Sequence, residues 1–328
     1  MGFLKNKSVL ITGGTGSFGK AFVSRVLRDD EVSKLVVFSR DELKQFEMAQ
    51  TIDSKKIRFF LGDVRDYQRL LQASDGIDII VHAAAMKQIP AAEYNPMEAI
   101  KTNILGAENI VNAAIRNGVQ RVLALSTDKA ANPANLYGAT KLCSDRLMIA
   151  GNTLAGKHPT RFACVRYGNV LGSRGSVIPF FLEKAKSGSI PITDERMTRF
   201  WLTIEQGVQF VLDRLEHMHG GEIFVPKIPS FKVTDVARVV CPGIPTHVIG
   251  IRPGEKLHEV MITEDDSYNT VESNNYYAVL SPTLKASRIY DAKTTPVEEG
   301  FRFSSDNNKF WHTEETFLAT LRESGILK

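Results

Sequence analysis

The chain has 328 residues, of which 43% are hydrophobic and 24% are charged, an ordinary composition for a globular protein. Its 41 basic and 37 acidic residues are spread along the chain, which argues against nucleic-acid binding and suits small anionic substrates. No apolar run approaches the ~20 residues that cross a bilayer, and the start of the chain lacks a secretion signal. We therefore expect a soluble cytoplasmic protein with no membrane partner.

The three cysteines, Cys143, Cys164 and Cys241, are odd in number and far apart. Neither a disulfide framework nor a zinc site fits them, so we expect a reducing compartment and no metal site. Free cysteine usually behaves as a small buried hydrophobic residue, and we expect all three to be buried.

Short, nearly continuous apolar runs alternate with helical patterns through the first half of the chain. Such runs are typical of strands buried on both faces of a parallel sheet. The longest helical pattern covers about 93–117. The predicted strands are 7–14, 34–40, 57–63, 77–84, 121–127 and 161–170. This alternation predicts an α/β fold with a doubly wound, Rossmann-type parallel sheet.

The first predicted strand leads into the glycine-rich turn "ITGGTGSFGK", which a helix follows. Glycine allows a tight turn and lets the backbone approach a pyrophosphate, whose charge is favoured by the helix N-terminus. Because a strand precedes the turn and a helix follows it, the pattern indicates a dinucleotide site rather than an ordinary turn. The predicted cofactor-binding residues here are Gly13, Thr15, Gly16, Ser17, Phe18 and Gly19.

The end of the second predicted strand indicates which dinucleotide binds. In NAD sites an acid about 20 residues after the glycines usually binds the ribose. Here Ser39 and Arg40 come first, and a guanidinium beside a hydroxyl suits a 2′-phosphate, which favours NADP. Asp41 is expected to cap the next helix. The predicted cofactor-binding residues of this segment are Ser39, Arg40, Asp41, Glu42 and Lys44.

The ends of the third and fourth predicted strands complete the cofactor site. Asp63 and Val64 are placed to contact the adenine, and the small side chain of Ala83 leaves room for the cofactor. Lys87 follows shortly after. His82 lies inside an apolar strand and is expected to be a packed core residue rather than a ligand.

Tyr137 and Lys141 are four residues apart on a predicted helix and therefore share one face. A phenol has an ordinary pKa of about 10, but a lysine cation and a positive nicotinamide stabilise the phenolate. Tyr137 can then take a hydroxyl proton while hydride leaves the same carbon, with Thr127 hydrogen-bonded to the same oxygen. Plain hydride transfer has no need of the neighbouring Asp128 and Lys129.

This set of motifs resembles the extended short-chain dehydrogenases/reductases. Within them the chain is similar to the UDP-N-acetylglucosamine 4,6-dehydratases (5-inverting), which begin pseudaminic acid synthesis. Most of residues 7–262 match, including the runs "SRDELKQFEM", "LSTDKAANPANLYGATKL" and "IGIRPGEKLHE". One departure is Gln88, which stands where this branch usually has a histidine.

The resemblance implies a use for Asp128 and Lys129. Tyr137 and NADP⁺ would oxidise C4 of the sugar, and the ketone would acidify the C5–H. Lys129 would remove that proton, while Asp128 or a water would protonate the departing C6 hydroxyl. Hydride would return to C6 and a proton would re-add at C5 from the opposite face, giving UDP-2-acetamido-2,6-dideoxy-beta-L-arabino-hex-4-ulose. Tightly bound NADP would be regenerated in each turnover.

This chemistry requires Lys129 to lose its proton. The cations of Lys141 and the nicotinamide lower the pKa of Lys129, whereas Asp128 raises it, and the sequence leaves the balance open.

After about residue 170 the alternation weakens, and glycine, proline and serine become frequent. We interpret 1–170 as the dinucleotide-binding domain with the catalytic pair. Residues 171–328 are mainly a smaller, loop-rich lobe that binds the nucleotide sugar, with an approximate boundary and room for segments that return to the first domain. In "RPGEK", Arg252 is expected at the diphosphate and Glu255 at the uridine ribose. Further predicted substrate-binding residues are Lys87, Asn169, Arg174, Arg199 and Lys227.

Three alternatives remain open at this stage. A retaining 4,6-dehydratase acts on the same sugar, but its long, membrane-anchored members often have methionine where this chain has Tyr137. A nucleotide-sugar C4-epimerase has no need of the Asp128–Lys129 pair. A sensor or scaffold protein that binds NADP without turnover usually loses Tyr137 or Lys141. A homo-oligomer, a dimer or a hexamer, is expected through the helices around 93–117 and Tyr137.

Overall fold

The structure, a computed structural model, describes residues 2–29, 32–172, 176–287 and 294–327. A ten-stranded sheet runs through this part of the chain, and seven neighbouring strands of it are parallel. In their order across the sheet these are β3 (Ile57–Leu61), β2 (Lys34–Ser39), β1 (Ser8–Thr12), β4 (Ile79–His82), β5 (Arg121–Leu125), β6 (Arg161–Val165) and β10 (Glu222–Pro226). The antiparallel strands β15 (Tyr276–Leu280), β14 (Thr270–Glu272) and β16 (Thr295–Pro296) complete one edge.

Helices connect the parallel strands, as the alternating pattern predicted. In chain order the helices are α1 (Ser17–Asp29), α2 (Glu42–Thr51), α3 (Tyr67–Ala73), α4 (Ile89–Tyr94), α5 (Pro96–Ile100), α6 (Gly106–Arg116), α7 (Leu136–Leu154), α8 (Val177–Ala185), α9 (Ile204–His217), α10 (Val233–Val240), α11 (Pro282–Ser287) and α12 (Glu314–Glu323). Helix α1 packs on α9, while α6 packs on α3 and α7. The strand order with β1 and β4 at the centre confirms the predicted Rossmann-type α/β fold.

The predicted strand 161–170 is wrong in its second half. Strand β6 ends at Val165, and the chain then leaves the central sheet, so that β7 (Asn169–Val170) pairs with β9 (Thr198–Leu202) instead. The departure requires glycine at 168, because a Cβ there would lie 2.5 Å from the Cβ of Phe200. Strand β7 thereby joins a three-stranded sheet with β9 and β11 (Ser230–Lys232).

The predicted long helix over about 93–117 is interrupted. Pro96 begins a new helix after Asn95, since proline lacks the N–H that a helix interior needs. Helix α5 then passes through a π-helical turn, Lys101–Leu105, into α6. In this turn the buried Asn103 side chain bonds the backbone N–H and C=O of Met86. The turn therefore holds the loop that follows β4, on which Lys87 lies.

Residues after 170 are divided between the two parts of the fold. Strands β10, β14, β15 and β16 extend the central sheet, and α9 packs on α1. The other segments form a smaller lobe with its own apolar core, which includes Phe181, Trp201, Phe231 and Phe317. The strand pair β8 (Ile190–Ile192) with β12 (Thr246–Val248) belongs to this lobe. The pair β13 (Val260–Ile262) with β17 (Phe303–Ser304) instead packs into the core of the central sheet through Met261, Ile262 and Phe303.

The cysteines differ from one another in their surroundings. Cys164 and Cys241 are buried, as expected, but Cys143 is exposed on α7, so the prediction that all three are buried is wrong. Cys143 follows the buried Lys141 by two positions and therefore points away from the helix face that meets the sheet. Among the residues that the structure describes, no helix combines the length and apolar character that a membrane span requires.

One close backbone contact positions the predicted catalytic residues. Helix α7 lies against the short 3₁₀ turn Asp128–Ala130, and a Cβ at Gly138 would lie 2.2 Å from the carbonyl oxygen of Lys129. Any larger residue at 138 must push this turn away from the helix.

We expect Gly138→Ala to lower the free energy of unfolding by about 1–3 kcal/mol, because the added methyl overpacks against backbone that cannot rotate away. The matched control is Gly207→Ala in α9, where the nearest atom to an added Cβ is 3.6 Å away. There, alanine should raise the free energy of unfolding by about 0.5–1 kcal/mol through helix propensity. Urea denaturation followed by circular dichroism measures both, and equal effects would contradict the packing argument.

Candidate active site

A cleft of about 800 Å³ opens at the carboxyl ends of the parallel strands and extends to the smaller lobe. This is where ligands bind in open α/β sheets. It brings together most of the residues predicted from the sequence, namely Gly13, Thr15, Gly16, Ser17, Phe18, Gly19, Ser39, Arg40, Asp41, Lys44, Asp63, Val64, Ala83, Lys87, Thr127, Asp128, Lys129, Tyr137, Lys141, Asn169, Arg199, Arg252 and Glu255.

Three of the predicted residues are not among those that line the cleft. Glu42 is exposed in the first turn of α2. Lys227 lies with its Nζ 2.6 Å from Oε1 of Glu272 and over the ring of Tyr277, at the antiparallel edge of the sheet. Arg174 lies outside the described residues.

The glycine-rich turn is shaped by close approaches between backbone segments. Gly13 has a φ of +66°, and a Cβ there would lie 2.9 Å from the backbone nitrogen of Ala84. A Cβ at Gly19 would lie 2.5 Å from the backbone of Gly14, so α1 starts against the turn itself. The Thr15 hydroxyl lies 2.9 Å from that of Ser39 and ties the turn to the end of β2. The first turn of α1 lines the cleft, where a helix N-terminus suits a pyrophosphate.

The end of β2 gives the cleft a cationic rim. Asp41 caps α2, as predicted, by accepting a 3.0 Å hydrogen bond from the backbone N–H of Lys44. The Lys44 side chain also bonds Asp41 and holds the pKa of this carboxyl below its usual value. Arg40 keeps 65% of its side chain exposed, with Nη1 3.9 Å from Oδ2 of Asp63. Asp63 in turn pairs with Arg65 at 2.7 Å.

His82 is a packed core residue, as predicted. Its side chain is 1% exposed, and Nδ1 hydrogen-bonds the hydroxyl of Thr12 at 2.8 Å. Burial, and then the charge of Lys141, lower the pKa of His82 to about 3, so the ring is neutral.

The two residue pairs predicted to be catalytic meet at the end of β5. Thr127 donates a 2.9 Å hydrogen bond to Oδ1 of Asp128, and Lys129 Nζ donates to the same oxygen at 3.0 Å. Asp128 is 1% exposed. Because Tyr137 and Lys141 occupy the adjacent face of α7, both pairs line one wall of the cleft.

A buried glutamate that the sequence analysis assigned no role completes this cluster. Oε1 of Glu259 lies 3.3 Å from Lys129 Nζ, and the residue is 3% exposed. It stands directly before β13, in the run "HEVMI". An acid directly before the apolar run of β13 was the available signal, but its partner is 130 positions away in the chain.

The charges of this cluster shift several pKa values. Burial opposes the charge of Lys129, but the carboxylates of Asp128 and Glu259 outweigh it and raise the pKa of this amine above its ordinary value. Burial, together with Glu259, raises the pKa of Asp128. Burial raises the pKa of Tyr137 to about 12, against the effects of Lys129 and Thr127. Burial lowers the pKa of Lys141, against Asp145. The balance left open for Lys129 therefore favours the protonated amine in this structure.

Arg199 has a different environment from the one expected of a substrate-binding residue. Its guanidinium donates to the carbonyl oxygens of Thr198, Leu257 and Lys256 at 2.7–3.0 Å, and its Nε lies 3.7 Å from Oε1 of Glu259. Arg199 thus joins β9 to the segment that carries Glu259.

A family model described as "Polysaccharide biosynthesis protein" matches residues 9–281. The chain belongs to this family. The UDP-N-acetylglucosamine 4,6-dehydratase (inverting) of Campylobacter jejuni is 53% identical, over 97% of this chain and 98% of its own. A UDP-glucose 4-epimerase of Rickettsia canadensis is 41% identical, over 84% of this chain and 83% of its own. The solved structure of Pen from Bacillus thuringiensis has a TM-score of 0.92 at 36% identity and covers 99% of this chain and 100% of that one.

These matches confirm the resemblance to the inverting dehydratases that the sequence predicted. For this member of the family, the cleft offers a helix N-terminus for a dinucleotide and, on one wall, a phenol, two amines and a buried carboxyl group. Such a set fits a nicotinamide cofactor beside a sugar whose protons are moved at more than one atom.

Proposed function

We propose that this chain is an NADP-dependent UDP-N-acetylglucosamine 4,6-dehydratase (5-inverting). The observation that carries the proposal is the direct contact of Asp128 with Lys129 beside Tyr137, in a cleft that also contains the dinucleotide turn. The relative from Campylobacter jejuni supports it. A C4-epimerase would use only the dyad of Tyr137 and Lys141.

Tyr137 exchanges the proton of the C4 hydroxyl. Bound NADP supplies the hydride acceptor for C4 and the hydride donor for C6. With a pKa of about 12, the phenol needs nearby positive charge to act at neutral pH. Lys129 is the charge that lowers the pKa of Tyr137 most in this structure. Lys141 lies one helical turn from Tyr137, on the same face.

The Asp128–Lys129 pair moves the protons at C5 and C6. A shift of one proton along the 3.0 Å contact converts the ion pair into a neutral amine and a carboxylic acid. The amine then takes the C5 proton, which the C4 ketone has acidified, and the acid protonates the departing C6 hydroxyl. Oδ2 of Asp128 is buried and has no hydrogen-bond partner among the described residues, and burial raises the pKa of this carboxyl, which favours its protonated form as the acid. Return of a proton to the opposite face of C5 inverts that centre.

The smaller lobe holds the nucleotide end of the substrate. Arg252 is 68% exposed at the cleft and is paired with Glu255. A diphosphate would bind the guanidinium, and Glu255 would accept hydrogen bonds from the ribose hydroxyls. Lys87 and Asn169 line the cleft nearer to the catalytic wall, where the sugar would lie.

We assign the cofactor as tightly bound NADP because Arg40 and Lys44 line the cleft at the end of β2, where a 2′-phosphate would lie, while Asp41 is engaged as a helix cap. We further propose that the protein acts in the cytoplasm at the start of pseudaminic acid synthesis. A dimer or hexamer is supported by apolar side chains exposed on the helices around α6 and α7, namely Tyr94, Met97, Leu105 and Leu154.

Proton NMR of the purified protein with UDP-N-acetylglucosamine in D₂O, without added NADPH, tests the reaction. We expect a C6 methyl signal, deuterium at C5 and the couplings of the L-arabino product, because the cofactor is regenerated and C5 is reprotonated from solvent. Retained configuration at C5 would indicate the retaining dehydratase. A 4-epimer with its C6 hydroxyl intact would indicate the epimerase.

Lys129→Met should abolish dehydration, because no other amine contacts Asp128 in the part of the chain that the structure describes. Binding of NADP should change by less than about twofold, since the dinucleotide turn is untouched. The control is Lys157→Met, on an exposed loop after α7. Surviving dehydratase activity in the Lys129 variant would contradict the assignment of the base.

Arg40→Ala should weaken NADP binding at least about tenfold and leave NAD binding nearly unchanged, because a charge-assisted contact to phosphate is lost. Arg58→Ala is the matched control, since Arg58 is an exposed arginine of the neighbouring strand that donates to the backbone carbonyls of Lys55 and Ile57. Nucleotide released from denatured protein identifies the cofactor, and titration of refilled protein gives both dissociation constants. Equal losses for NADP and NAD would argue against a 2′-phosphate site.

A further inference from the structure

Glu259 is held in place from three directions. Its backbone N–H donates to the Ser305 hydroxyl at 2.9 Å, and its carbonyl oxygen accepts from the Ser305 backbone N–H at 2.8 Å. Its carboxylate lies 3.7 Å from Nε of Arg199, which backbone carbonyls fix in turn. The carboxylate is therefore a fixed charge, provided by the short strand pair β13–β17.

The side chain of Lys129 joins two segments that are far apart in the sequence. Its backbone belongs to the turn after β5 of the central sheet, and its Nζ reaches Oε1 of Glu259, directly before β13, at 3.3 Å. A second carboxylate, Asp128, holds the same Nζ at 3.0 Å. Lys129 thus has two anionic partners, one in its own turn and one in the segment before β13.

A buried carboxylate is unfavourable unless charges or hydrogen bonds compensate for the lost water. Oε2 of Glu259 is buried and lacks a hydrogen-bond partner among the described residues. Its compensation therefore comes mainly from the ion pairs with Lys129 and Arg199. We therefore expect the loss of this negative charge to affect Lys129 and Arg199 most.

We propose that Glu259 is a positioning residue, which fixes the amine of Lys129 toward the substrate and keeps it protonated until ligands fill the cleft. The mechanistic part of this proposal rests on the proposed dehydratase function. Several charged and titratable groups interact electrostatically with Lys129, namely Asp128, Glu259, Arg199, Tyr137, Lys87 and Lys256. Of these, only Asp128 and Glu259 place a carboxylate against the amine in the described residues.

The coupling can be measured without any enzyme activity. Acetic anhydride reacts only with neutral amines, so the acetylation of the Lys129 peptide, read by mass spectrometry, reports its protonation. The reaction is run at about pH 8, below the ordinary lysine pKa of about 10.4. There, Lys129 of the Glu259→Gln variant should be acetylated about tenfold faster than Lys129 of the unchanged protein. Glu264→Gln, an exposed glutamate of the same segment, is the control and should show no change. Equal acetylation in all three proteins would overturn the proposal.

Kinetics separate positioning from a general loss of structure. Glu259→Gln should lower kcat at least about tenfold and leave KM for UDP-N-acetylglucosamine within about twofold, since the nucleotide end binds elsewhere. The limb of the pH profile that reports the neutral amine should move to lower pH, because the variant lacks the anion that stabilises the ammonium. An unshifted limb, or a loss confined to KM, would contradict the assignment.

A second variant keeps the proposal testable if the Glu259→Gln protein does not fold. Glu259→Asp keeps the charge but shortens the side chain, so acetylation of Lys129 should stay near that of the unchanged protein while kcat falls. Acetylation that rises as kcat falls would show that the charge of Glu259 is not what acts on Lys129. If the unchanged protein does not dehydrate the substrate, the proposed function has failed, and acetylation still decides whether Glu259 controls Lys129.

Discussion

Two buried carboxylates share one ammonium group in this protein, and the chemistry of the cleft depends on that arrangement. Asp128 and Glu259 each need Lys129, because a buried charge without a partner is strongly unfavourable. In the proposed mechanism the same ion pair also becomes the acid and the base, since a single proton shift neutralises both of its members. The proposed chemistry and the stability of the site therefore depend on the same three atoms, Nζ of Lys129, Oδ1 of Asp128 and Oε1 of Glu259.

Close backbone contacts place this cluster beside the dinucleotide turn. Gly138 lets α7 approach the turn that carries Lys129, and Gly13 lets the first turn approach the end of β4. The departure of the chain at Gly168 brings Asn169 to the same cleft. Each contact excludes a side chain, so the positions of the reactive groups follow from where the backbone has no room for a Cβ.

Much of the fold and of the cofactor end could be predicted from the sequence because the signals there are local. The apolar runs of β1, β2 and β4 are buried on both faces, and each was predicted from a few consecutive residues. The cap at Asp41 and the pair Tyr137–Lys141 likewise depend on spacings of three or four residues. The error at 161–170 arose because the cause, contact with Phe200, lies 32 positions after Gly168.

By itself, the sequence determined the kinds of groups that the protein presents, namely a glycine turn for a dinucleotide, a phenol–amine dyad and an acid–amine pair. Only the tertiary structure decided which charges surround Lys129. Glu259 and Arg199 reach it from segments that are distant in the chain, and the field at a buried group depends on distance in space and on exclusion of water. The spacing of residues along the sequence reveals neither the distance in space nor the exclusion of water. The protonation of the proposed base was therefore decided by folding.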